Sequence, residues 1–126
     1  MYKRFTDELK TETDLPVYEE TLFEAKEFPC IVLEYMKPVI EYHGTREKHT
    51  HHFLFSIMDI VENYGNEKSP ENHLKAKTFC YDKSMELYKK LKIKHRGIKF
   101  ENIGFGSDYY KNKKVTLIAG ILKVPE

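Results

Sequence analysis

The sequence predicts a single α+β domain spanning residues 1–126, built on a mainly antiparallel sheet of about four to five strands. One long helix and a short N-terminal helix pack on that sheet. Three observations predict it. An amphipathic stretch from Pro70 to about Leu91 follows a dense cluster of turn residues. Two strand-like runs precede that stretch and two follow it. The chain has 126 residues with 40 % hydrophobic and 33 % charged, enough for one hydrophobic core and unlike a disordered chain.

The elements follow in order. Tyr2, Phe5 and Leu9 recur at helical spacing with polar residues between them. Residues Thr11 to Asp14 close that helix, and Leu15-Pro16 stops it, because a residue before proline avoids the α region. Val17 to Glu20 reads as a short strand, and Thr21 to Pro29 as connecting structure. Cys30 to Met36 is aliphatic and β-branched and starts directly after Pro29, a strong strand signal that Pro38 breaks or bends, and Val39 to Gly44 continues extended to a turn at Gly44. The segment from Gly44 to His49 reads as a polar loop tip. Thr50 to Val61 is a second long strand, apolar on both faces near its middle, which places it at the centre of the sheet.

Glu62 to His73 is the clearest loop, with Gly65, Asn66, Ser69 and Pro70 as breakers. Ser69 is placed as a helix N-cap with Pro70 at the first helical position. In the helix, Leu74, Thr78, Tyr81, Met85 and Tyr88 form one row. Cys80, Ser84, Leu87 and Leu91 lie alongside, and the two rows read as one apolar stripe. Ile98 to Phe105 alternates and then shifts phase at Ile103, which predicts a bulge. Gly106 to Lys114 is a second polar loop tip, and Lys114 to Val124 a final strand. The predicted core comprises Phe53, Phe55, Ile57, Leu74, Tyr81, Met85, Leu117 and Ile121.

Composition narrows the function classes. The apolar runs fall far below the roughly 20 residues of a membrane helix, and the N-terminus is charged, without a signal-peptide pattern. Cys30 and Cys80 are too few for a disulfide scaffold and fit no zinc spacing, so they read as small buried thiols in a reducing compartment. A soluble intracellular protein is expected.

Charge is unevenly spread. Residues 1–63 carry 7 Lys/Arg and 13 Asp/Glu, a net of −6, and residues 64–126 carry 14 and 7, a net of +7. The basic run from Lys89 to Lys99 fits a solvated helix end, since cations favour helix C-termini. It also fits a nucleic-acid contact. A third reading is self-complementarity, in which Glu19, Glu20 and Glu24 of one copy meet Lys89, Lys90 and Lys94 of another.

No residue is assigned to catalysis, to a cofactor or to a metal. His43, His49, His51 and His52 invite a metal reading, because residues two apart on a strand point the same way and two imidazoles can share an ion. A site needs three or four ligands with an oriented second shell; Glu41 and Glu47 are near enough to contribute, but nothing in the sequence fixes the geometry, so a polar loop running into a strand edge is the reading taken. Ser56 lacks a glycine elbow, and Cys80 has no base adjacent in sequence. The GFGSD segment lacks a P-loop lysine. Tyr109 and Tyr110, beside Lys111, Lys113 and Lys114, match a protein interface, where tyrosine is enriched, or a stacking surface for single-stranded nucleic acid.

Two phrases carry a resemblance: LPVYEE from Leu15 to Glu20 and EFPCIVLEY from Glu27 to Tyr35. They are followed in order by HFLFSIMDI, a helix ending in SMELYKKL and a closing strand through Leu122. Over nearly its whole length the chain resembles the phage tail-terminator proteins, also called tail-completion or minor tail proteins. The resemblance implies a structural virion protein without catalytic residues, located in the tail or neck and assembled in the bacterial cytoplasm. It implies a homo-oligomer, a hexameric ring at the head-proximal end of the tail. That ring would contact the tail tube protein and the head–tail connector or stopper, with DNA passing through its lumen. The alternatives are another neck or head-completion connector protein, a small nucleic-acid-binding module using Lys89 to Lys99, and a small metal-dependent enzyme using the histidines.

Overall fold

The computed structural model describes residues 2–19 and 27–126. Helix α1 covers Tyr2–Glu12, strand β1 Val17–Tyr18, β2 Cys30–His43 and β3 Arg46–Ile60. A single 3-10 turn at Val61–Tyr64 leads to helix α2, Pro70–Lys94, and the chain closes with β4, Lys99–Tyr110, and β5, Lys113–Pro125. The five strands form one sheet in the order β1-β2-β3-β5-β4. Every neighbouring pair is antiparallel except the two-residue pairing of β1 with β2. The architecture is the expected α+β, with β3 in the middle of the sheet.

The strand registers decide which side chains meet the helices. Residues directly opposite each other in an antiparallel pair project to the same side of the sheet. One row across the sheet is therefore Tyr35, Phe53, Leu122 and Phe100, the next Leu33, Phe55 and Gly120, and the next Ile31, Ile57, Ile118 and Phe105. Both helices lie on this side. Phe5 of α1 sits 4.9 Å from the Phe53 ring, and Tyr88 of α2 sits 5.9 Å from Phe100. Phe55 and Phe100 meet edge to face at 5.5 Å. Gly120 makes this possible, because a methyl group there would stand 2.4 Å from Phe100 Cε1. On the other side of the sheet Cys30, Val32 and Ser56 are buried as well, as expected for strands covered on both faces. Cys80 is buried within α2.

Several expectations need correction. The segment after Gly44 is not a loop: β2 and β3 pair as far as His43 and Arg46, joined by a two-residue turn. Gly44, at φ +68°, stands first in that turn, where a tight hairpin asks for a positive φ. The expected extended course past Pro38 to a turn at Gly44 is present: the register with β3 shifts between Tyr35 and Lys37, and beyond its short pairing with β1 the strand is a sheet edge, where proline is tolerated. The second polar tip is likewise a tight hairpin. Its two turn residues Lys111 and Asn112 both have positive φ, 49° and 65°. The bulge foreseen near Ile103 is present as a register shift between Glu101 and Gly104.

The helix stripe is narrower than predicted. Ala76, Cys80, Ser84, Leu87 and Leu91 are buried, whereas Leu74 is 64 % and Tyr81 46 % exposed. At 100° per residue, Tyr81 and Leu74 lie about a quarter to a third of a turn from the Cys80–Leu87–Leu91 line. That flank of α2 hangs over β4, the last strand of the sheet, so no further strand covers it. Met85, Leu117 and Ile121 are half-buried, and Phe53, Phe55 and Ile57 form core as predicted. Ser69 precedes α2 in an extended conformation, but its side chain makes no cap hydrogen bond. Its carbonyl instead accepts from the amides of Asn72 and His73 at 3.1 and 3.2 Å.

Helix α1 is fastened by charge as well as by Phe5 and Leu9, both buried. His95 donates to the Glu8 carboxylate at 2.8 Å, and Lys94 pairs with Glu12. Lys83 stands 3.9 Å from Asp14. The side chain of Tyr2, the third residue of the predicted stripe, lies outside the described residues.

At the other end of α2 a buried carboxylate organises the chain. Asp59, at the end of β3, accepts from its neighbour's amide Ile60 N–H at 2.8 Å, from Asn63 Nδ2 at 2.8 Å and from the Tyr64 hydroxyl at 2.7 Å. This fixes the 3-10 turn directly after the strand. Burial, reinforced by the bond to Asp59, holds the Tyr64 hydroxyl well above its ordinary range. Burial, with the Asp59 charge nearby, pushes the Cys80 thiol up to about 12.

Three outcomes follow. Phe55→Ala removes a ring from the centre of the core and is expected to cost roughly 3–5 kcal/mol in denaturant unfolding. Gly120→Ala, which forces Phe100 aside, is expected to cost about 1–3 kcal/mol, and a neutral result would show that the ring has room to move. The third concerns alkaline pH. Both Cys80 and Tyr64 have folded pKa values raised above the unfolded ones, so their stabilising contribution is full below pH 9.0, the ordinary thiol value, and is lost as pH rises toward 12. The melting temperature of the parent should fall across that window. Cys80→Ala and Tyr64→Phe should each flatten the fall, as checked by calorimetry at stepped pH.

Candidate interaction surfaces

The charged residues singled out in the sequence occupy different environments. Glu19 follows β1, is exposed, and pairs with Lys10 at 3.5 Å. Glu20 and Glu24 lie outside the described residues. Lys89 is exposed on α2. Lys90 stands 3.6 Å from Glu86 and donates to the carbonyl oxygen of Glu12 at 3.5 Å. Lys94 hydrogen-bonds the Glu12 carboxylate, which holds its ammonium above the ordinary lysine range. Part of the acidic–basic complementarity between the two halves of the chain is thus used inside one molecule, where the end of α1 meets the end of α2. Lys89, Lys92 and Arg96 are exposed at that end as well, Lys92 with its Nζ 5.2 Å from the Tyr88 ring centroid, whereas Lys99 lies on the sheet face away from the helices.

The two tyrosines diverge because neighbouring strand residues point to opposite sides. Tyr109 is 65 % exposed, with Lys114 Nζ 4.9 Å from its ring centroid. Tyr110 is half-buried and packs edge-on against Phe28 at 5.2 Å. Tyr109 is therefore the better placed of the two for an external partner.

The histidines also separate. His49 and His51 share the helix side of β3, and His52 faces the opposite side, where burial, with Lys123 and Lys37 nearby, lowers its pKa. His51 shares a 2.8 Å hydrogen bond with the Tyr35 hydroxyl and is largely covered, so it belongs to the packed sheet rather than to a loop edge. His49 lies 3.1 Å from Glu47. The Glu126 carboxylate approaches His49 at 3.8 Å and His51 at 3.6 Å. Among the described residues no three His, Cys, Asp or Glu side chains form a group able to hold a metal ion.

Two surfaces were not legible as such in the sequence. The first is an arm. The register of β5 with β3 ends at the Thr50–Pro125 pair, so residues 40–49, from Ile40 of β2 to His49 of β3, run on as a two-stranded ribbon beyond it. On its helix-side face Ile40 stands opposite His49, and Tyr42 opposite Glu47. Among the described residues no helix covers it, and Ile40 is 50 % and Tyr42 67 % exposed. The second surface is a shallow groove along the outer flank of α2, lined by Lys68, Pro70, His73, Leu74 and Lys77. It continues onto β4 through Tyr81, whose ring lies 6.5 Å from Phe105, and Lys77 Nζ stands 6.0 Å from the same ring. Phe105 is 53 % exposed. Alternation around Ile40 and Tyr42 was present in the sequence. What it lacked was the extent of β5, which decides where cover ends.

No helix among the described residues is long and apolar enough to cross a membrane. Compared with known protein families and with curated proteins, the chain matches none.

Proposed function

We propose that the chain is a structural subunit of a phage tail, a terminator that closes into a hexameric ring at the head-proximal end, contacts the tail tube protein and presents a docking surface to the head connector. The observation that carries this reading is the arm of residues 40–49, a two-stranded ribbon that leaves the sheet with Ile40 and Tyr42 uncovered. Such a patch on a small domain marks an association surface. The two phrases behind the resemblance add support, since LPVYEE and EFPCIVLEY meet in the fold as the parallel pair of β1 and β2. Exposed Lys89, Lys92 and Arg96 fit a ring whose lumen passes DNA. The same residues favour the second reading, a nucleic-acid-binding module. That reading requires tight duplex binding by the isolated chain with a steep loss on raising salt.

The test is removal of the coding sequence from a phage genome that encodes the chain. Terminator function is expected to leave tails that overgrow to unequal lengths and stay separate from filled heads. Tails of normal length beside heads that lose DNA would point to a head-completion protein instead, and normal virions would overturn both.

A further inference from the structure

Apart from Ile93 near the end of α2, the large exposed apolar side chains among the described residues gather in two places. One is β2 with its arm, and the other is the α2–β4 flank. The two lie toward opposite edges of the sheet, because β2 is next to one edge and β4 is the other. They differ in form: the arm protrudes, and the flank is a shallow groove along α2 that runs toward the exposed rings of Tyr81 and Phe105. They also differ in charge. The apolar face of the arm carries Glu47, with Glu126 beside His49, whereas the groove is bordered by Lys68 and Lys77. A patch that protrudes and a patch that receives, of opposite charge and on opposite edges, are the two halves of a head-to-tail contact rather than of a two-fold one.

We infer that the arm of one copy docks in the α2–β4 groove of the next, with Ile40 and Tyr42 seated against Leu74, Tyr81 and Phe105, and Glu47 facing Lys68 and Lys77. The inference rests on the ring reading above for its occupant, a second copy of this chain, and it names the surfaces that reading leaves open. It moves the main contact away from Glu19 and Lys94 to the exposed apolar residues of the two sheet edges. Charge steers the approach and sets register, and the aromatic and aliphatic contacts supply the affinity.

The experiment uses two double variants of the full chain and native mass spectrometry. Ile40→Asp with Tyr42→Asp spoils the arm, and Leu74→Glu with Tyr81→Glu spoils the groove. All four positions are exposed, and an unchanged circular dichroism spectrum and melting temperature confirm that both variants fold. Each alone is expected to lose the parent's oligomer and run as a monomer. Mixed in equal amounts they are expected to form a 1:1 heterodimer and stop, because one intact arm meets one intact groove. Assembly of either variant like the parent, or a mixture that stays monomeric, overturns the contact. A parent hexamer that survives both variants would leave the ring reading standing while this contact falls. Open chains or dimers that obey the mixing rule would keep the contact and remove the ring. A parent that is monomeric at every concentration reached overturns the contact and leaves tail termination to the deletion phenotype.

Discussion

The meeting of Phe55 and Phe100 over Gly120 is the constraint on which the rest of the structure depends. Gly120 sits opposite Phe55 on β5, and its missing side chain opens the space that Phe100 fills from β4. Filling it sets the distance between the sheet and α2, because Tyr88 rests on Phe100 and donates to the Ile98 carbonyl at 3.2 Å. With that height and angle set, the Cys80–Leu87–Leu91 line faces the sheet. The Leu74–Tyr81 line is turned outward over the edge strand. An exposed groove is thus the by-product of a well-packed core, since a helix with apolar residues around more than half its girth can bury only one side on a single sheet face.

Charge has a second part in the architecture. The acidic first half and basic second half look in sequence like two faces made for separate molecules. In the fold, α1 lies so that Glu8 and Glu12 reach His95 and Lys94 at the end of α2. Those pairs sit where the helix dipole also favours cations, so Lys94 satisfies both a carboxylate and the helix end. The exposed Lys94–Glu12 pair contributes little to stability. The effect of the pairs is orientation, holding a short helix in one register while Phe5 and Leu9 supply the burial.

Much of the fold was legible because local pattern and tertiary role agree. Thr50 to Ile60 is apolar on both faces and is the central strand. Pro70 marks the start of α2, and the phase change after Glu101 is a bulge. The misses share one cause, which is that burial depends on the neighbour and not on the residue. Leu74 and Tyr81 have core chemistry but lie beyond the last strand. Arg46 to His49 have loop chemistry but pair with β2 in a tight hairpin, because polar side chains cost nothing on a ribbon open to water. For the candidate surfaces, local sequence named Tyr109 and the lysines by type. It could not show that Glu12 takes Lys94, or that Glu126 approaches His49 and His51 from 75 residues or more away.

The strand order carries a kinetic consequence. β2 with β3, and β4 with β5, are hairpins closed by two-residue turns, so each forms from contacts near in sequence. The seam between β3 and β5, from Thr50–Pro125 to Ile60–Val115, joins segments separated by the whole of α2. Closing that seam carries a large loop-closure entropy, and such non-local pairings set the rate at which a domain folds. Folding therefore divides into two fast local events and one slow union. Side chains on the seam govern the rate of the union. The arm, which lies wholly within one hairpin and outside the seam, is left free to vary in sequence without slowing it.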